Sequence, residues 1–203
     1  MYKRQILGSV VPALTGRVLG ALRMFCSARF LTVGPGLKSG IKLRLDNPAQ
    51  LGAELLCGAV AALEEGPGPL AVISADTAIS IMAVNGKQEL VGGVILPGPQ
   101  LSLSALVQKT AQLPQIDLSA PASSSILGKN TSACLQNGFV LGTAGLLDGL
   151  AERFQAELGP DIRFYATGNL PRTIREACRT PIEYREYLIT DGLYRIWQKN
   201  RKG

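Results

Sequence analysis

LAVISADTAISIMAVNGKQELVGGVILPG, residues 70–98, is the stretch on which the fold of this chain turns. Leu70-Ala71-Val72-Ile73 and Ile79-Ser80-Ile81-Met82-Ala83-Val84 are apolar and rich in β-branched residues, the composition of strands. Asn85-Gly86 then signals a two-residue type I′ hairpin turn, whose central residues both need φ > 0, with a third strand over residues 87–91. Between the first two strands, Ser74-Ala75-Asp76-Thr77-Ala78 is a small polar bend that a phosphate or a metal ion can approach through the backbone. Gly92-Gly93 and Pro97-Gly98 are expected to end regular structure and to permit close backbone approach.

The rest of the chain surrounds this hairpin. Its 203 residues suffice for one domain or two small ones with a real core. Hydrophobic residues make up 46%, yet no run approaches the roughly 18 needed to span a bilayer, so no membrane association is expected. The four cysteines, Cys26, Cys57, Cys134 and Cys178, have no C-x-x-C spacing and read as small buried residues of a cytoplasmic protein. Histidine is absent, which excludes Ser-His and Cys-His nucleophile pairs and leaves acid–base chemistry to carboxylates or lysine. The net charge of +6 gathers toward the ends, at Lys3, Arg4, Arg195, Lys199, Arg201 and Lys202, without the aromatic pattern of a nucleic-acid binder.

Before the hairpin, residues 6–12 read as a buried strand closing in a turn at Pro12, and residues 14–26 have the period of an amphipathic helix. A short strand at residues 30–33 and an irregular basic connection at residues 38–45 follow. Asn47 as N-cap, Pro48 at the first helical position and Gln50 three after the cap predict one helix running to Glu64 or Glu65. Its buried face carries Leu51, Leu55, Gly58, Ala59 and Ala62, with Glu54 at the rim, either as a solvated neighbour or as a positioned base.

After the hairpin the pattern predicts a helix to Leu113, a loop over residues 117–125, and a long helical stretch to Leu158. Gly138, Gly142, Gly145 and Gly149 form a stripe on that helix, implying a second backbone packed against it or a break in its first half. A strand at residues 162–167, a short helix at residues 172–178, a strand at residues 181–187 and a last helix capped by Thr190 or Asp191 complete the chain. Strand, proline turn, helix, strand, helix describes residues 6–65 and again residues 162–200, but only the second copy is preceded by a hairpin. The expectation is a truncated reading frame, with residues 1–66 the remainder of a first half and residues 67–203 a second.

Gly128-Lys129-Asn130-Thr131 is not a P-loop, because Ser123 stands where the upstream glycine belongs. Taken with Gly8-Ser9-Val10-Val11-Pro12, Asp46-Asn47-Pro48, Gly52-Ala53, Thr77-Ala78, Gly92-Gly93, Pro97-Gly98, Gly145-Leu146-Leu147-Asp148-Gly149 and Ala166-Thr167-Gly168, however, it resembles the type III pantothenate kinases. The resemblance covers nearly all of residues 6–200. It implies an α/β fold of the ribonuclease-H-like, actin-like ATPase kind found in the acetate and sugar kinase, heat-shock ATPase and actin superfamily. It also implies a homodimer that transfers a phosphoryl group from ATP to pantothenate, the first step of coenzyme A biosynthesis, with Mg2+ and a monovalent cation, K+ or NH4+.

Carried over position by position, the resemblance makes Glu54 the general base, in place of an aspartate. Gly52, Ala53, Leu55, Leu45 and Thr131 fall at substrate positions, Leu55 for an arginine and Leu45 for a tyrosine. Thr77, Gly92, Gly93 and Gly168 fall at ATP and phosphate positions. Ser74 stands where an aspartate ligates the cation, Asp76 where a glycine faces phosphate, and Asp76 is the candidate substitute ligand. Two functions follow: a pantothenate kinase, or a non-catalytic dimeric scaffold or regulatory relative that keeps the fold.

Overall fold

The computed structural model of the chain describes residues 4–34, 36–120 and 125–201. The expectations that involve Lys3, residues 121–124 and Lys202 lie outside them. The chain order is β1 (Arg4–Leu7), α1 (Pro12–Phe25), β2 (Arg29–Thr32), β3 (Lys42–Leu43), a 3-10 turn (Pro48–Gln50), α2 (Ala53–Glu64), β4 (Leu70–Ala75), β5 (Ala78–Val84), β6 (Glu89–Pro97), α3 (Pro99–Gln108), α4 (Thr131–Leu158), β7 (Arg163–Gly168), α5 (Arg172–Ala177), β8 (Ile182–Tyr184) and α6 (Leu188–Asn200).

Six strands are hydrogen-bonded in the order β3-β6-β5-β4-β7-β8. β4 lies between β5 and β7 and is buried at every one of its six positions, which is why its sequence is apolar everywhere but at Ser74 rather than alternating. β3 runs parallel to β6 with Leu43 opposite Leu90, and β7 runs parallel to β8 with Phe164 opposite Ile182. β1 and β2 form a separate parallel pair, Ile6 opposite Leu31.

The hairpin is built as expected except at its turn. Among the described residues the one non-glycine with positive φ is Gln88, at 58°, and neither Asn85 nor Gly86 takes φ > 0. The Asn85 side chain accepts from the Lys87 and Glu89 amides at 2.9 and 3.0 Å, and the Gln88 N–H donates to the Asn85 carbonyl at 3.0 Å. This side-chain turn draws four residues into the loop and moves the left-handed position from Gly86 to Gln88, so the type I′ expectation is corrected. β6 then continues through Gly92-Gly93 to Pro97 instead of stopping there.

The chain divides into two compact units: residues up to Val72 with Met82–Gly92 and those from Tyr187 onward, and Ile73–Ile81 with Gly93–Glu186. In the first, Asn47 caps only the short 3-10 turn through Ala49 N–H, and α2 starts afresh with Gly52 as its N-cap. Leu51, extended at ψ 121°, separates the two, so the single helix predicted from Asn47 is corrected. α2 is buried nearly all round, at Leu56, Cys57, Val60 and Ala61 as well as Gly58, Ala59 and Ala62. It packs against α6 so closely that a methyl on Gly192 would run into the Cys57 carbonyl.

α6 begins at Leu188 after Tyr187, with Thr190 donating back to the Tyr187 carbonyl at 2.8 Å, rather than starting at a Thr190 or Asp191 cap. The irregular stretch expected at residues 38–45 contains β3. The strand expected at residues 6–12 ends at Leu7, and Val10 and Val11 are exposed rather than buried. α1 forms as predicted, although its Leu14, Val18, Met24 and Phe25 are exposed.

In the second unit α3 ends at Gln108, short of Leu113. α4 is a single unbroken helix of 28 residues, started by the Asn130 side chain accepting from Ala133 N–H at 2.9 Å. The break expected in its first half is absent, and no other described segment of this chain packs against the first three glycines of the stripe: no described atom lies within 4 Å of where a methyl on Gly138, Gly142 or Gly145 would sit. On its buried side Asp148 accepts from the Arg179 and Thr180 amides at 3.0 and 2.9 Å and so fixes the start of the segment leading into β8.

Candidate functional site

The candidate residues fall into separate groups, the first at the Asp76-Thr77 turn of the second unit. β4 and β5 are joined by these two exposed residues, closed by the Asp76 N–H donating to the Ala78 carbonyl at 2.9 Å. Two other segments hold the turn. At the start of α3 the Gly98 N–H donates to the Thr77 carbonyl at 2.9 Å, and a methyl on Gly98 would collide with the Asp76 carbonyl. At the end of β7, Gly168 takes φ +83° and lies so close that a methyl there would sit 2.5 Å from the Ala75 carbonyl. Only glycine satisfies both the left-handed backbone and this approach. Asn169, next in sequence, donates its N–H to the Ala75 carbonyl and its side-chain amide to the Asp76 carboxylate.

Asp76, Thr77, Gln100, Ser104, Leu118 and Asn169 line a cavity of about 480 Å3 beside this turn. Ser74, the position expected to hold a cation, is buried within β4 at 3% exposure and does not line the cavity. Among the described residues no three His, Cys, Asp or Glu side chains are grouped as metal ligands would be. A buried neutral hydroxyl and one carboxylate engaged by an amide do not make the ligand set that a carboxylate-held cation needs.

The second group sits in the first unit, at the start of α2. Gly52 and Ala53 line a cavity of about 650 Å3, together with Ser9, Val10, Leu43 and Asn47 among others. Glu54, half-buried in the first turn of α2, lies where the helix dipole favours a carboxylate. Glu54, Leu55 and Leu45 are not among the residues lining the cavity. Thr131 begins α4, is exposed, and borders a third hollow of about 320 Å3 with Leu106, Leu135 and Phe139. Gly92 and Gly93 are interior residues of β6, and Gly92 takes φ +144° with open space around it.

The site thus brings Asp76, Thr77 and Gly168 together, and Gly52 with Ala53, while Thr131 borders a different hollow. Sequence reasoning missed Gln100, Ser104 and Leu118 as cavity walls. Nothing local marks them, since their roles come from a fold that returns α3 and the loop after it to the β4–β5 turn.

Comparison with known proteins identifies the family of the chain. A family model described as type III pantothenate kinase matches residues 1–153. The chain is 36% identical over 196 residues to the type III pantothenate kinase of Koribacter versatilis, an alignment covering 97% of this chain and 71% of that protein. It is 36% identical to the Geotalea uraniireducens protein of the same name, over 97% of this chain and 76% of that protein. For the Dehalococcoides mccartyi protein, again of that name, identity is 38% over 98% and 74%. A crystal structure from Campylobacter jejuni, assigned to the Baf family of transcriptional activators, superposes with a TM-score of 0.61 at 18% identity, covering all of this chain and 86% of that one. The fold is the actin-like ATPase fold.

Proposed function

This chain belongs to the type III pantothenate kinase family, and from that premise we propose that it transfers the γ-phosphoryl group of ATP to the hydroxyl of pantothenate, giving 4′-phosphopantothenate. The observation that carries the reading is the glycine-clamped turn at Asp76-Thr77. Gly98 and Gly168 approach too closely to tolerate a side chain, and the turn they hold opens on a cavity beside the Thr77 hydroxyl. Phosphoryl transfer asks a protein mainly for positioning and charge stabilisation, which a rigid backbone turn supplies.

In this reading Thr77, Gly92, Gly93 and Gly168 serve the nucleotide, and Gly52, Ala53, Leu45, Leu55 and Thr131 the acceptor. Glu54 receives the acceptor's proton as its oxygen attacks. Mg2+ accompanies ATP. A monovalent cation at Ser74 finds no carboxylate there, and Asp76 is the substitute with an acidic side chain at the turn, so no step is routed through that cation. The protein acts in the cytoplasm as a homodimer, its halves being residues 1–66 and 67–203. ATP-dependent formation of phosphopantothenate, followed by mass spectrometry, tests the reading. Glu54→Gln is expected to lower kcat by at least a hundredfold, the size of a lost general base; an unchanged rate removes Glu54 from the role.

A second reading is favoured by one specific feature. Asp76 places a negative charge, fixed by Asn169, at the turn where phosphate would approach, and like charges repel. A non-catalytic scaffold or regulatory relative is consistent with that. It predicts no turnover and no calorimetric signal with ATP.

A further inference from the structure

The peptide between Gly168 and Asn169 is held from both of its edges. Its N–H donates to the Ala75 carbonyl, and its carbonyl, which a planar trans peptide points the opposite way, accepts from the Tyr184 hydroxyl at 2.9 Å. Two grips are needed for the same reason that Gly168 is glycine. With φ at +83° and no Cβ, this residue gives the end of β7 its close approach to the Asp76-Thr77 turn, but it also leaves the peptide that follows free to rotate. Rotation would break the bond to Ala75 and release the residue whose side-chain amide engages the Asp76 carboxylate.

Tyr184 is itself held in place. It ends β8 opposite Ala166 of β7, two residues before the glycine whose carbonyl its hydroxyl reaches. Over the face of its ring lies the guanidinium of Arg175, from α5, 4.0 Å from the ring centroid. Arg175 Nε is buried and has no hydrogen-bond partner among the described residues. A buried donor left unpaired costs stability, and the stack on Tyr184 is the interaction that offsets it. Neither Tyr184 nor Arg175 lines the cavity beside the turn.

We propose that Tyr184 is a positioning residue for the nucleotide: its hydroxyl locks the Gly168–Asn169 peptide against the Asp76-Thr77 turn, and Arg175, stacked on the ring, keeps that hydroxyl in place. The proposal rests on the reading above, in which ATP meets this turn. Both side chains act through the backbone of Gly168, not by touching the nucleotide.

Tyr184→Phe keeps the ring and the stack and removes one hydroxyl, so it isolates the lock. Calorimetry on the full chain, with ATP and Mg2+ and separately with pantothenate, is expected to show ATP bound at least about fivefold more weakly, the size of one net hydrogen bond, and pantothenate unchanged. Hydrogen exchange followed by NMR is expected to speed up at the Asn169 amide and to stay as it was at the amides of β4. Arg175→Met is expected to weaken ATP about threefold in the parent chain and to have no further effect in the Tyr184→Phe chain, because its action passes through the hydroxyl. ATP bound equally well by Tyr184→Phe overturns the proposal and leaves the kinase reading standing. A parent chain that binds no ATP overturns both. Exchange that speeds up throughout β4 and β7 would make Tyr184 a support of the whole unit and overturn the positioning role. Equal weakening by Arg175→Met in both chains would mean that its charge acts on ATP directly, and overturns its part in the lock.

Discussion

Asp148 is 3% exposed on α4, and its carboxylate receives two backbone N–H groups, from Arg179 and Thr180. Burial raises its pKa, but these hydrogen bonds act the other way and outweigh it, and the carboxyl is held below the usual range. A folded-state pKa below the unfolded one means that its stabilisation is present above the ordinary carboxylate pKa and is lost as pH falls through the depressed value. Asp148→Ala is expected to cost about 3 kcal/mol, since two amides lose a charged acceptor in the interior. Urea denaturation at pH 7 reads that loss, and the gap between variant and parent should narrow below about pH 4, where the unfolded chain's carboxyl becomes protonated. A gap independent of pH would mean that shape rather than charge matters at this position.

Thiols at the same scale divide sharply. Burial pushes the Cys57 thiol up to about 12, and burial together with the Asp148 charge pushes Cys178 up to about 11, whereas Cys134 is exposed. Because the thiolate is the reactive form, Cys134 is expected to react with an aromatic disulfide reagent at pH 8 within minutes, and Cys57 only as the chain opens. Peptide mapping after timed labelling assigns the sites. Early labelling of Cys57 would contradict its place inside α2.

Elements bring a contrast between two helices that carry glycine. Gly192 of α6 lies against the Cys57 carbonyl of α2, so Gly192→Val must force the pair apart and is expected to destabilise by about 3 kcal/mol or more. Gly142 of α4 has no described atom near the place of an added methyl. Gly142→Ala is therefore expected to stabilise by up to about 1 kcal/mol through helix propensity alone. Both changes are read as shifts in the urea midpoint. A destabilising Gly142→Ala would mean that a second molecule covers that face in solution.

For the whole molecule the glycine clamp on the Asp76-Thr77 turn is the decisive arrangement, because α3, β7 and the hairpin meet at three consecutive carbonyls, those of Ala75, Asp76 and Thr77. In the proposed reading Gly98→Ala is expected to abolish ATP binding by displacing the turn while leaving pantothenate able to bind, which calorimetry with each ligand separates. Loss of both ligands would point to general unfolding instead.

Sequence by itself determined the strands, most of the helices and the family. A strand buried on both faces reads as a nearly unbroken apolar run, as residues 70–73 do, and the long helix α4 is marked at its start by the cap Asn130. These are local requirements, and local requirements are legible. Tertiary structure alone decided that Asn85 draws the hairpin turn out to four residues, that Leu51 breaks the helix expected from Asn47, and that the α4 glycines face open space. It also decided that Gly98 and Gly168 converge on one turn although they stand 70 positions apart in the sequence, and that Lys42 and Arg44 are turned to Glu89 while Leu43 walls a cavity. Each of those outcomes depends on which distant atom arrives at hydrogen-bonding or van der Waals distance, and a one-dimensional pattern does not encode that meeting.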